Sequence, residues 1–104
     1  MPQRNLVLFD LEWNIGYQPY PFNYHGVQQT FRGEIIEIGA VKMDGERNVV
    51  GTFHRIVKPV VYQHLHHRTR EVVGLTEEDL QNGIPFAQAV QEFFAFSGLT
   101  LIHI

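Results

Sequence analysis

The chain opens on an unbroken apolar run, Leu6-Val7-Leu8-Phe9, within the segment Asn5 to Trp13. Such a run, without polar alternation, marks a strand buried on both faces. From Asn14 to Gly33 the pattern dissolves. Gly16, Pro19, Pro21, Asn23 and Gly26 punctuate it, with Tyr17, Tyr20, Phe22 and Tyr24 in between. This stretch reads as a long loop, either functional, as long loops in compact domains often are, or a plain aromatic excursion. Glu34 to Met43 is a second strand. Asp44 to Arg47, with Gly45 at its centre, is a turn, and Val49 to Lys58 pairs back as a third strand that Pro59 ends. His64 to Val73 places Leu65, Thr69 and Val72 at helical spacing. Thr76, with Asp79 three positions on, reads as a capping box opening a short helix. The clearest helix runs from Pro85 to Phe96. Phe86, Val90, Phe93 and Phe94 form its apolar stripe, and Ser97-Gly98 stops it. Leu99 to Ile104 reads as a fourth strand.

This order predicts an α/β fold with a mixed sheet, in which residues 1–104 form one domain or part of one. There is no internal repeat, low-complexity tract or linker. A strand at the end of the chain leaves an edge that something else must cover, which makes self-association through it plausible.

Composition narrows the function. Apolar residues make up 44% and charged residues 18%, an ordinary globular balance. No window approaches the ~18 apolar residues of a membrane span, and the N-terminus lacks the features of a signal peptide. Cysteine is absent, so disulfides and thiolate metal sites are excluded. The expected compartment is the cytoplasm. A formal net charge of −3 argues against a passive basic nucleic-acid-binding module. It leaves room for an enzyme that reaches phosphate through bound cations.

Asp10 and Glu12 carry the candidate chemistry. Residues two apart in a strand share a face, so both carboxylates project together from the end of an apolar strand. Burial and mutual repulsion make that arrangement costly, and a hard divalent cation such as Mg²⁺ or Mn²⁺ relieves both. The plain alternative is that the strand ends at Phe9 and both acids face water.

The blocks LVLFDLEWN, EIIEIGAVKMDG, FHRIVKP and EVVGLTEEDLQNGIPFAQAVQEFFAF occur here in that order. Together they resemble the DEDD-type 3′–5′ exonuclease superfamily, which includes ribonuclease T, the proofreading subunit of bacterial DNA polymerase III, and the KapD-like and ERI-type exonucleases. The resemblance covers essentially the whole chain and implies a ribonuclease H-like mixed sheet flanked by helices, apparently truncated after the fourth strand. It implies two divalent cations, Mg²⁺ or Mn²⁺, held in part by Asp10 and Glu12, with Asp10 shared by both. One ion activates the attacking water and the other steadies the leaving 3′ oxygen. The implied substrate is a single-stranded RNA or DNA 3′ end, and the implied products are nucleoside 5′-monophosphates.

The family also uses a second and a third Asp and a His or Tyr that positions the water. This sequence has no Asp after Asp79, and His103 lacks the family's spacing. The expected polypeptide is therefore the N-terminal part of the domain, inactive or weak alone. The other reading is a non-catalytic shortened relative that binds metal, nucleic acid or a partner.

Four further residues are candidate substrate contacts: Trp13, Asn14, Leu75 and Thr76. Trp13 either stacks on a base or packs into the core, and Leu75 and Thr76 either touch the terminal nucleotide or serve as core contact and helix cap. Glu37 is a supporting acid near the site or a paired acid in the sheet. His64 and His67 would share a face if both lay on one helix, but without cysteine or carboxylate among them they read as a solvated face beside Arg68 and Arg70. Arg68 and Arg70, with Arg32, Arg55 and Lys58, are candidates for phosphate contact or are plain surface cations.

Overall fold

The computed structural model describes residues 5–98 and 101–103. Its dominant element is an antiparallel pair much longer than the apolar runs predict: β1 (Leu6–Tyr24) against β2 (Val27–Met43). The expected loop at Asn14 to Gly33 is thus a correction, because most of it is a two-stranded arm. Tyr20, Phe22 and Tyr24 stand at strand period and pair with Phe31, Gln29 and Val27. Phe22 and Phe31 stack with ring centroids 4.4 Å apart. The two-residue turn is His25-Gly26, both at positive φ (50° and 81°), as a type I′ hairpin demands. What hid the strand was the register shift between Ile15 and Tyr20, where Gly16 to Pro19 face Arg32 alone. Pro19 is tolerated there because a bulged residue owes the ladder no hydrogen bond.

β3 (Val49–Ile56) pairs antiparallel with β2 through the expected turn, in which Asp44 Oδ1 accepts the N–H groups of Glu46 and Asn48 at 2.8 and 2.9 Å. Of the predicted fourth strand, Leu101–His103 is β4, and residues 99, 100 and 104 lie outside the described residues. β4 runs parallel to β1, so the sheet order β3-β2-β1-β4 is mixed, as predicted.

Three helices follow β3: α1 (His67–Val73), α2 (Glu77–Gln81) and α3 (Phe86–Ser97). The capping box of α2 is present, with Thr76 Oγ1 accepting the Asp79 N–H at 3.1 Å and Asp79 Oδ2 accepting the Thr76 N–H at 2.9 Å. Two helix expectations need correction. α1 starts at His67 with His66 as its N-cap, so His64 and Leu65 precede it and Val72 is exposed. The buried face of α3 is Ala89, Phe93 and Ser97, whereas Phe86 and Phe94 are 48% and 56% exposed. Small residues at 89 and 97 let the helix lie close on the sheet.

Phe93 packs against Phe9 and Phe53 at centroid distances of 5.1 and 5.6 Å, within a core that includes Val7, Ile38, Ala40 and Val57. Burying each such side chain contributes roughly 1.5–3 kcal/mol. A second core, Ile36, Leu65 and Leu80, receives Ile56, Val73 and Leu75 from the opposite side of the sheet. Among the described residues no helix is long and apolar enough to cross a membrane.

Candidate functional site

Alternation along β1 sorts its side chains onto two faces. Phe9, Leu11 and Trp13 point one way, and Asp10, Glu12 and Asn14 the other. Phe9 and Leu11 pack on the core beneath α3, so the carboxylates project from the other face. The register extends that face across the sheet. Asp10 pairs with Gly39, which pairs with His54, and Glu12 pairs with Glu37, which pairs with Ile56. A Cβ at Gly39 would meet nothing within 4 Å, so the row from Asp10 to His54 has an open gap at its centre. Beside Glu12 the ladder slips, leaving Ile36 as an extra residue of β2 that turns into the second core.

The electrostatics of this face are those of excess negative charge. Burial, then Asp10, then Glu37 push the Glu12 carboxyl above the usual carboxylate range. Glu37 is held by His54, whose Nε2 lies 2.5 Å from Glu37 Oε2. That ion-pair geometry matches the paired-acid reading of Glu37. His54 is the residue that the sequence did not single out, because its place opposite Gly39 depends on the register fixed by the Asp44–Asn48 turn. Among the described residues, no three His, Asp or Glu side chains converge as a metal cluster. The pair Asp10 and Glu12 nevertheless fits a hard divalent cation: oxygen donors, adjacent on one face, with mutual repulsion that such an ion removes.

The other candidate contacts are dispersed. Asn14 is wholly buried and its amide is spent: Nδ2 donates to the carbonyls of Tyr62 and His64, and Oδ1 accepts the His66 N–H, all at 2.9 Å. Its side chain holds the 62–66 segment and has no face left for a nucleotide. Trp13 is 49% exposed, on the opposite face from Glu12, and lines an apolar cleft of about 420 Å³ with Phe31, Ile35, Val57, Val61 and Phe86. Leu75 packs on the second core and Thr76 caps α2, and both border an open cleft with Arg70, Gly74 and Glu77. Arg55 is engaged by Glu92 at 2.8 Å and lies over the Phe53 ring.

Two devices fix the neighbourhood of the carboxylates. The Glu34 carboxylate accepts three successive N–H groups, those of Val60, Val61 and Tyr62, and so pins the segment after Pro59. The Tyr62 hydroxyl lies 2.9 and 2.8 Å from the carbonyls of Gln18 and Phe31, one on each strand of the arm, and its single proton is shared between them. Its ring lies against the backbone at Gly16, where a Cβ would come within 1.9 Å of it.

Residues 7–103 match the family model of the RNase T type, described as exonuclease. A DNA polymerase III of the PolC type from Thermotoga maritima is 36% identical over 63 residues, which is 61% of this chain and 4% of that protein. A 3′-exonuclease described by its 3′-end-specific recognition of a histone mRNA stem-loop superposes with a TM-score of 0.72 at 18% identity, covering 92% of this chain and 40% of that one. The nuclease domain of 3′hExo, a DEDDh family member bound to rAMP, gives a TM-score of 0.65 at 14% identity, covering 99% and 52%. The chain thus spans about half, or less, of the length of each of these three proteins.

Proposed function

The chain belongs to the RNase T exonuclease family, which it matches across residues 7–103, and from that membership we propose a metal-dependent 3′–5′ exonuclease that releases nucleoside 5′-monophosphates from single-stranded RNA or DNA. The observation that carries this reading is the Asp10–Glu12 pair, projecting on one face beside the gap over Gly39. Asp10 and Glu12 would hold two Mg²⁺ or Mn²⁺ ions between them, with Asp10 shared. When bound, the cations supply Lewis acidity for phosphodiester hydrolysis.

The chain's own residues do the positioning. Burial, then Asp10 and Glu37, disfavour the charge on Glu12, and a bound cation would relieve the repulsion among these acids. His54 engages the carboxylate of Glu37, the residue opposite Glu12. Asn14 and Glu34 fix the 60–66 segment beside it. Leu75 and Thr76 are proposed at the rim where the terminal nucleotide lies, and Trp13 as a stacking surface for a base that passes round to the far face. The nucleotide and RNA ligands of the structural neighbours support this substrate class.

Two carboxylates alone do not complete a two-ion centre, so we expect the 104 residues to need further ligands and to hydrolyse weakly or not at all alone. Among the described residues β4 pairs with β1 alone, and we propose its other edge as a route for self-association. The test is hydrolysis of 5′-labelled single-stranded RNA and DNA with Mn²⁺, beside Asp10→Ala and Glu12→Ala, together with Mn²⁺ binding read by thermal shift. A 3′-shortening ladder or a Mn²⁺-dependent rise in Tm, lost in both variants, supports the reading. Neither signal in the unmodified chain overturns it in favour of a non-catalytic relative.

A further inference from the structure

Beside the carboxylate face stands a group of side chains that the proposed chemistry leaves unused. The Tyr17 ring stacks on His66 at a centroid distance of 4.0 Å and an interplanar angle of 26°. The Tyr17 hydroxyl bonds His67 Nδ1 at 2.9 Å, and the His66 and His67 rings stack at 4.4 Å. His66 is buried, with its Nδ1 accepting the Arg68 N–H, so this column stands on a fixed base. Tyr17 is nonetheless 68% exposed. An aromatic ring held in one orientation with an open face is a pre-ordered platform, because a ligand need not order it on binding.

The column is tied to the acids by Asn14. Glu12 and Asn14 are two strand residues apart, roughly 7 Å, and Asn14 Oδ1 accepts the His66 N–H. The platform therefore lies within a nucleotide or two of the carboxylates. Its charge also differs from that of the chain as a whole. Net charge is −3, yet no Asp or Glu occurs from Trp13 to Gly33. Two acids lie near α1: Glu71, on α1 itself and without an ion pair among the described residues, and Glu77, shared between Arg70 at 3.4 Å and His64 at 3.7 Å. Arg68 is exposed and its side chain makes no ion pair among the described residues. An open aromatic face, with an unpaired arginine next in sequence to the His67 that it touches, is a combination that holds a single strand by stacking and phosphate contact.

We propose that Tyr17, His67 and Arg68 form a holding site for the single strand on the 5′ side of its terminal nucleotide, with one base stacked on Tyr17 and the neighbouring phosphate on Arg68. This rests on the nucleic-acid reading above. It adds a site on the arm and on α1 that lies outside the metal-binding pair.

The experiment is a fluorescence-anisotropy titration of a 5′-labelled ten-nucleotide single strand, RNA and DNA in turn, made resistant by a phosphorothioate at the 3′ end and measured with Mn²⁺ at several salt concentrations. Tyr17→Ala should weaken binding roughly tenfold, while Tyr17→Phe, which keeps the ring, should stay close to the unmodified chain. Arg68→Ala should lower the salt slope by about one, and Arg47→Ala, in the β2–β3 turn, should leave it unchanged. Matching melting temperatures check that each variant folds. If the unmodified chain binds the strand and Tyr17→Ala and Arg68→Ala bind equally well, the holding site is wrong and the exonuclease reading stands. If the unmodified chain binds neither strand, the holding site falls, and the hydrolysis and Mn²⁺ tests above decide the exonuclease reading separately. Binding that depends on Tyr17, with neither shortening of an unprotected strand nor a Mn²⁺-dependent rise in Tm, would remove the exonuclease reading alone.

Discussion

The side-chain oxygen of Asn14 accepts the backbone N–H of His66 at 2.9 Å, joining β1 to the start of α1 inside a fully buried contact. The same amide donates to the carbonyls of Tyr62 and His64. Asn14→Ala would strand three backbone groups, each worth ~1–3 kcal/mol when left unsatisfied. A loss of about 3 kcal/mol or more in urea unfolding is expected. Asn14→Asp replaces a donor with an acceptor facing two carbonyl oxygens. It should be comparably destabilised near neutral pH and recover in part in acid, where the protonated carboxyl donates again.

Gly16 and Tyr62 meet so closely that any side chain at position 16 must expel the ring. Because the Tyr62 hydroxyl bridges both strands of the arm, Gly16→Ala should loosen the arm as well as cost about 1–3 kcal/mol. Hydrogen exchange across residues 17–31 should quicken in this variant. Unchanged exchange there would mean that the arm does not depend on the Tyr62 bridge.

Glu12 sits where burial, Asp10 and Glu37 all disfavour its charge. Its folded value lies above the unfolded one, so the charged carboxylate weighs against folding once the pH has risen through that window. Without divalent cations, Glu12→Gln should therefore melt no lower than the unmodified chain at neutral pH, and should lose the Mn²⁺-dependent gain. Gly39→Ala should leave the cation-free Tm within a degree or two while weakening that gain, since it fills the gap beside Asp10 without touching the core. A Glu12→Gln protein that unfolds much earlier would show that Glu12 makes a stabilising contact instead.

His66 is held neutral: burial, then His67 and Arg68, lower its affinity for a proton. The unfolded chain takes up that proton first, near the ordinary value of about 6.5. The contribution of His66 is thus present above that pH and is lost as pH falls below it. His66→Asn keeps an N-cap without a titrating ring. The stability-versus-pH curve of this variant should flatten between about pH 7 and 5, the span around the ordinary histidine value.

The parts of the fold written in short-range pattern were legible. The apolar run at Leu6 to Phe9, the Asp44 turn, the Thr76 capping box and the stop at Gly98 all stand where the sequence puts them. The arm was not, because Gly16, Pro19 and Pro21 mimic a loop and the strand signal at Tyr20, Phe22 and Tyr24 survives only once a four-residue bulge is allowed. The face of α3 was misjudged because it is set by small residues: Ala89 and Ser97 are buried by close approach, which hydrophobicity alone does not score. At the site, Asp10 and Glu12 follow from strand period. The opposition of Glu12 to Glu37, and of Gly39 to His54, depends on registers between strands that no single segment encodes.

The ladder between β1 and β4 pairs Val7 with Leu101, whereas the arm closes through two residues at His25-Gly26. These contacts lie at opposite ends of the range of loop-closure entropy. The arm can zip from its tip as soon as residue 43 exists. The parallel ladder waits for nearly every residue in between, which places it late in folding. Until then, the edge of the strand that carries Asp10 stays unpaired, and a growing chain is exposed to edge-to-edge association for as long as that interval lasts.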